Sequence, residues 1–321
     1  MHYLSGNSVD VPVHFKTDRI PYLPQWRQHR WAILYSLLSF AIHHIWLFIS
    51  GEKCLSKAEA FLLYFVLSTL IAIREVFMFH GLGIRYGFLD GDTHARDTFQ
   101  KVGLRKGFAH LLKATGSRTI LMIFVSYTPC TPPAVVLSNW VWWMNLVYEI
   151  GLYGLVLDFW FYWYHRAMHE IGSLWEYHRT HHSTRYPTTF LTGLAGHEQE
   201  FFDLIGIPLM TYITLRAVGI RFGFYEWWVC QRYVAQTEIG GHSGIRVYAT
   251  APSTVAWLLK AFNVEIAIED HDLHHRKGGR KGFNYGKQSR LWDRVFGTCH
   301  DRIESVEANI DYTYPAQMPF S

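Results

Sequence analysis

Ten of the nineteen histidines in this 321-residue chain fall between positions 165 and 275, and their spacing carries chemistry. His165 and His169, in HRAMH, stand four apart, which puts both imidazoles on one helix face about one turn apart. His178, His181 and His182, in HRTHH, and His271, His274 and His275, in HDLHH, each repeat an i, i+3, i+4 pattern. At this histidine content, one HxxHH arises by chance in fewer than about one in ten such chains, and two only rarely. His197 in GHEQE and His242 in GGHSG are single additions. A stripe of imidazoles is a metal-ligand array, and eight or more converging histidines exceed the roughly four to six positions around one first-row ion. Two metals are therefore expected. Imidazole suits iron, zinc, copper and nickel, whereas the chain has neither paired cysteines for a thiolate site nor the dense carboxylates that calcium or magnesium would need.

The elements that must position these residues are read from composition. Half of the chain is hydrophobic and 17% is aromatic, but only 17% is charged, against roughly 25% in an ordinary soluble domain. That balance predicts a bilayer as partial solvent. Apolar runs at 31–50 and 58–79 form one hairpin and runs at 119–137 and 141–164 a second, split by Pro129, Pro132 and Pro133. Runs at 201–218 and 222–235 form a weaker third pair, spanning or interfacial, because Asp203, Arg216, Arg221 and Glu226 interrupt them. Residues 1–30 are a polar lead-in, and 31–321 a single membrane-embedded unit whose histidine-rich region covers 157–298. The basic residues of the lead-in, of the 81–118 connection and of the segments after Tyr164 and Gly241 fall on one side of an even number of spans, which makes that side cytosolic. The expected fold is an all-α integral membrane protein, with transmembrane helical hairpins and a cytosolic helical cap that carries a di-metal site. The net charge of +4 is too mild to imply nucleic acid. Cys54, Cys130, Cys230 and Cys299 are far apart and form no CxxC, so neither a disulfide scaffold nor a zinc finger is expected.

HRAMH, HRTHH and HDLHH, followed by NYG at Asn284 to Gly286 and LWDRVFGT at Leu291 to Thr298, resemble the fatty acid hydroxylase and sterol desaturase superfamily of membrane-bound non-haem di-iron enzymes. The resemblance covers residues 157–298. It implies two iron ions held almost wholly by histidine and O2-dependent oxidation of an unactivated C–H bond. It also implies electrons from NAD(P)H through a reductase and cytochrome b5 or another external donor, and residence in the endoplasmic reticulum membrane. Carried over residue by residue, the ligands are His165, His169, His178, His181, His182, His242, His271, His274 and His275. His197 and Glu238 are further candidates, Glu238 because it lies one helical turn before His242. HSG at His242 to Gly244 is similar to the sterol C4-methyl oxidase branch and PTTF at Pro187 to Phe190 to the sterol C5-desaturase branch. A sterol or related lipid is the expected substrate, hydroxylation is favoured over desaturation, and sphingolipid, fatty-acid and terpenoid substrates are alternatives.

Asp158, seven residues before His165, either accepts an imidazole N–H or pairs with an arginine. Asp270 and Asp272 point away from the stripe and read as solvated surface. Asn284, Gly286 and Gly297 read as turn residues that fix the last histidine box. A zinc-handling membrane protein without redox chemistry is the rival of another class, and a non-catalytic partner in a lipid-modifying complex a third. Transport sites, however, lie near the bilayer midplane, whereas these clusters follow the spans.

Overall fold

The computed structural model describes residues 11–97 and 103–319. Residues 1–10 of the lead-in and 98–102 of the basic connection lie outside the described residues. Helix α1 (Gln25–Ser50) starts after Pro24 and stops at Gly51, whose φ of 70° is open to glycine. Helix α2 (Lys57–Tyr86) begins with a capping box, in which Ser56 and Glu59 satisfy each other's backbone N–H. Both helices are long and apolar enough to cross a membrane. Leu34, Leu38, Ile45, Phe48, Leu62, Val66 and Leu70 stand exposed along them, an outward apolar band suited to lipid.

Helix α3 (Leu104–Ser126) starts fifteen residues before the apolar run that was expected to begin at 119. The basic residues of its first turns did not prevent helix formation, because Arg105 and Lys106 are exposed. Beyond the proline break, α4 (Pro133–Leu137) is a short turn of helix, and α5 (Trp140–Glu170) runs unbroken from the aromatic stretch through HRAMH. The third pair departs most from expectation. Residues 201–218 divide into α7 (His197–Phe201), a π-helical turn (Phe202–Gly206) and α8 (Ile207–Ala217), after the short α6 (Gly172–His178). Helix α9 (Phe224–Gly241) is not a peripheral arm but the central helix, packed against α1, α2, α3 and α5. Trp227 and Trp228 on it are fully buried. Its buried residues lie on every side and include Gln231, Arg232 and Gln236, so it is enclosed by its neighbours although it is not uniformly apolar.

Three short helices complete the chain: α10 (Ala256–Ala261), α11 (Ile268–Lys277) and α12 (Leu291–Phe296). Strand β1 (Ile20–Tyr22) pairs in parallel with β2 (Ile310–Pro315), which ties the lead-in to the C-terminal segment. Cys54 and Cys130 are bonded as a disulfide with Cα atoms 4.4 Å apart, despite their separation of 76 residues. The expectation against disulfides fails here because each cysteine lies in the connection at the far end of a long helix, and packing brings those connections together.

Candidate metal centre

The nine carried-over histidines meet in two groups. His165, His169, His178, His182 and His274 form one, and His181, His242, His271 and His275 the other; within each, the ligand-type nitrogens lie within 4.8 Å of one another. Nε2 atoms face each other at 3.1 Å for His165 and His178, 3.1 Å for His182 and His274, 3.2 Å for His181 and His242, and 3.1 Å for His242 and His271. Two imidazole nitrogens about 2.0–2.1 Å from a common ion, at angles between square and tetrahedral, are about 2.9–3.4 Å apart. The observed spacing fits shared coordination.

Helix geometry explains how the boxes divide. On α11, His271 and His275 are 40° apart around the axis by the rule of about 3.6 residues per turn, whereas His274 lies about 60° to the other side of His271. His271 and His275 accordingly join the second group and His274 the first. The HRTHH box does the reverse, sending His178 and His182 to the first group and His181 to the second.

Five rings are oriented by main-chain carbonyls. Nδ1–H of His165 donates to Tyr285 O (2.9 Å), of His169 to Gly279 O (2.7 Å), of His181 to Leu194 O (3.0 Å), of His242 to Glu238 O (2.7 Å) and of His274 to Phe283 O (2.6 Å). Each bond fixes the tautomer and turns Nε2 toward the centre. Burial pushes His181 down to about 4 and His242 down to about 3. Burial, reinforced by neighbouring imidazoles, also holds His178, His182, His271, His274 and His275 well below the usual histidine range. All seven are thus neutral, which is the ligating form. Buried nitrogens without partners remain in both groups: His169 Nε2, the Nδ1 atoms of His178 and His182, and both ring nitrogens of His275. An ion in each group would take His169 Nε2 and one ring nitrogen of His275, so the donor set fits two metals.

Three of the five carbonyls come from residues 279–285, and that segment is clamped. Asn284 takes a φ of 52°, donates from Nδ2 to Asp270 O (3.0 Å) and accepts His300 N–H (2.8 Å). Asp293 of the WDR sequence accepts from Tyr285 N and Gly286 N, both at 2.8 Å. A Cβ on Gly286 would come within 2.2 Å of Ser289 O, so only glycine fits. Asp158 does neither thing expected of it. Fully buried, it accepts from Lys287 N (2.6 Å), Gln288 N (2.8 Å) and Ser289 Oγ (2.6 Å), because its face of α5 meets a loop whose amides need acceptors. It acts on the centre through the loop that carries Tyr285.

Other expectations are corrected. Asp270 and Asp272 are fully buried, not solvated: Asp270 pairs with Arg302 and Arg290, and Asp272 with Arg96 and Arg276. Glu238 lies outside both groups. Its carboxylate is held by Arg118 Nη2 (2.6 Å) and Lys287 Nζ (3.3 Å); burial alone would raise it, but these cations keep it well below the usual carboxylate range. His197 is exposed at the surface beside Lys113 and Glu200, away from both groups.

A cavity of about 380 Å³ opens onto His165, His178, His181, His242 and His271. Ile73, Val76, Phe77, Phe108, Phe161 and Phe190 give it an apolar wall. Arg118, Gln199, Asp203, Glu238 and Lys287, none of which sequence reasoning assigned to a substrate chamber, form a polar wall beside the histidines. Of these, only Asp203, a charge inside the 201–218 apolar run, carried a signal in the sequence.

Comparison with known proteins agrees with this geometry. The family pattern described as fatty acid hydroxylase matches residues 150–298. The chain is 41% identical over 311 residues to "Fatty acid hydroxylase vlmA" of Lecanicillium sp, covering 94% of this chain and 84% of that protein. It is 27% identical to the alkylglycerol monooxygenase of Xenopus tropicalis, over 57% of this chain and 36% of that one. With methylsterol monooxygenase 1-3 of Arabidopsis thaliana it shares 29% identity, over 48% of this chain and 49% of that protein. No solved structure matches. With the histidine boxes gathered into two ligand groups and a relative aligned along nearly its whole length, the chain belongs to the fatty acid hydroxylase family of oxidoreductases.

Proposed function

We propose that this protein is a membrane-bound di-iron hydroxylase that uses O2 to convert a lipid C–H bond to an alcohol. The observation that carries the reading is the pair of imidazole groups opening onto an apolar cavity. A group of five imidazoles exceeds the four ligands of a structural zinc site, which favours an ion of higher coordination and argues against the zinc-handling rival. The balance is R–H + O2 + 2e⁻ + 2H⁺ → R–OH + H2O, with electrons from NAD(P)H through cytochrome b5 and its reductase or another external donor. When bound, the two irons supply the redox chemistry. The chain itself supplies the rest: main-chain carbonyls fix the imidazole tautomers, burial keeps the rings neutral, and the phenylalanine wall keeps water from the C–H bond while holding an acyl tail.

A fatty acyl chain is the leading substrate class, because the relative that aligns along nearly the whole chain is named a fatty acid hydroxylase. A sterol, the class expected from the HSG motif, is second, since the methylsterol monooxygenase matches only about half of the chain. Topology is inferred from the disulfide. From Lys57 to Phe79, which packs on Gly240 beside the second histidine group, α2 rises about 33 Å, roughly the hydrocarbon thickness of a bilayer. Disulfides persist in oxidising compartments, so the Cys54–Cys130 end faces the lumen of the endoplasmic reticulum and the histidines face the cytosol.

The test is reconstitution with lipid, reductant and ¹⁸O2. The expected product carries one labelled oxygen, the iron content is about two per chain, and His274→Ala abolishes turnover while membrane insertion persists. An unlabelled product, a redox-silent metal under iron-replete conditions, or undiminished turnover in that variant overturns the reading.

A further inference from the structure

His178, like His182, lacks the main-chain acceptor that orients His165, His169 and His274 in the same group. Its Nε2 lies 3.1 Å from His165 Nε2, toward the centre, and its Nδ1 is buried with no main-chain carbonyl to receive it. Gln199, 3% exposed, lines the same cavity as His178 from the helix packed against α6, and its Oε1 is likewise buried without a well-formed hydrogen bond. The other end of that amide is engaged, since Gln199 Nε2 donates to Asp203 Oδ2 at 3.5 Å. Gln199 lies on α7 and Asp203 in the π-helical turn that follows, and both face the cavity. A π turn is an uncommon distortion that recurs at functional sites; here it follows directly on the one-turn helix that carries Gln199. An amide oxygen buried without a partner costs about 1–3 kcal/mol, and the facing Nδ1–H is the donor that removes the cost.

We propose that Gln199 is the positioning residue for His178, accepting its Nδ1–H through Oε1 when the five-imidazole group holds its metal, with Asp203 fixing the amide orientation. The role matches that of the carbonyls of Tyr285, Gly279 and Phe283 for His165, His169 and His274 in the same group. The difference is that a side chain can be exchanged. The proposal rests on the metal-centre reading, but not on lipid oxidation.

The experiment is chelator competition on the full-length protein loaded with cobalt(II), read by its ligand-field spectrum and by metal retained per chain. Gln199→Met removes both polar ends at similar volume. It is expected to weaken one of the two metal equivalents by about 10–100-fold and to leave the other unchanged. The double exchange Gln199→Glu with Asp203→Asn reverses donor and acceptor between the two residues, keeps an acceptor toward His178 and preserves the charge of the pair, so it restores most of the affinity. In a His178→Ala background, Gln199→Met adds nothing further. Gln199→Asn withdraws the amide by one methylene with less risk to folding, and moves affinity in the same direction. Wild-type affinity at both equivalents in Gln199→Asn, an additive loss in the His178→Ala background, or no metal bound by the wild type overturns the proposal. Two metals bound with the Gln199 dependence intact, but no lipid oxidised, would overturn the oxygenase reading alone.

Discussion

His275 offers the sharpest separation of a metal ligand from a core histidine, because the two readings predict opposite signs. The ring is 3% exposed, its centroid lies 4.7 Å from that of His182 and 4.6 Å from that of His181, and neither of its nitrogens has a hydrogen-bond partner. In the metal-free protein these are two unsatisfied buried polar atoms at about 1–3 kcal/mol each, and a same-sized apolar side chain removes that cost. His275→Leu is therefore expected to leave the chelated protein as stable as wild type or up to about 2 kcal/mol more stable. With iron bound the sign reverses. Loss of one ligand from a group of four weakens the ion by at least the ~10–100-fold seen when only an outer partner of a ligand is lost, or about 1.4–2.8 kcal/mol. The assay is thermal unfolding in detergent or nanodiscs, with excess chelator or excess ferrous iron, alongside iron per chain by mass spectrometry. The expected result is an unchanged or raised Tm in chelator, a lowered Tm in iron, and a fall from about two irons to about one. An equal loss of stability in both conditions, or two irons retained, would show that His275 merely packs and would refute the reasoning.

Two further substitutions probe the frame around the site. Arg118→Met leaves Glu238 buried with Lys287 alone, and breaking a buried pair from one side is expected to cost about 3–5 kcal/mol in unfolding measurements, with much of it recovered when Glu238→Gln is added; a loss below 1 kcal/mol would show the pair to be solvated. Cys54→Ser opens a 76-residue loop and is expected to cost about 4–5 kcal/mol of stability while iron content stays at wild-type level; loss of iron would mean that the disulfide-linked connections shape the centre directly.

The two histidine groups were legible in the sequence because helical spacing is a one-dimensional signature of a shared face: all nine carried-over histidines fall in them. What orients them was not. The acceptors are carbonyls of Gly279, Phe283, Tyr285, Leu194 and Glu238, and a carbonyl is present at every residue, so side-chain identity carries no mark of it. Asp158 was found, but its partners were misjudged, since they are two backbone amides and the Ser289 hydroxyl, 129–131 positions away. Hydropathy located α1 and α2 well and α3 and α9 poorly. The start of α3 is basic and exposed, and α9, with Arg232 and Glu238 inside it, owes its central place to packing rather than to composition.

Helix α11 shows most plainly why composition misled. Its sequence, IEDHDLHHRK, is as polar as a surface helix, yet Glu269, Asp270, Asp272, His274 and His275 are nearly or wholly buried. Burial of so many polar groups is tolerable only if each has a partner. One face gives His271, His274 and His275 to the two metal groups. The other is riveted by Arg302 and Arg290 on Asp270, by Arg96 and Arg276 on Asp272, and by Glu269, which accepts from Ile303 N, Glu304 N and Ser305 N at 3.0, 2.8 and 2.6 Å. The aspartates on either side of His271 are thus not filler. They anchor the helix that serves both histidine groups to segments as distant in sequence as Arg96 and Arg302, so the spacing that suits coordination also requires a charged counter-face.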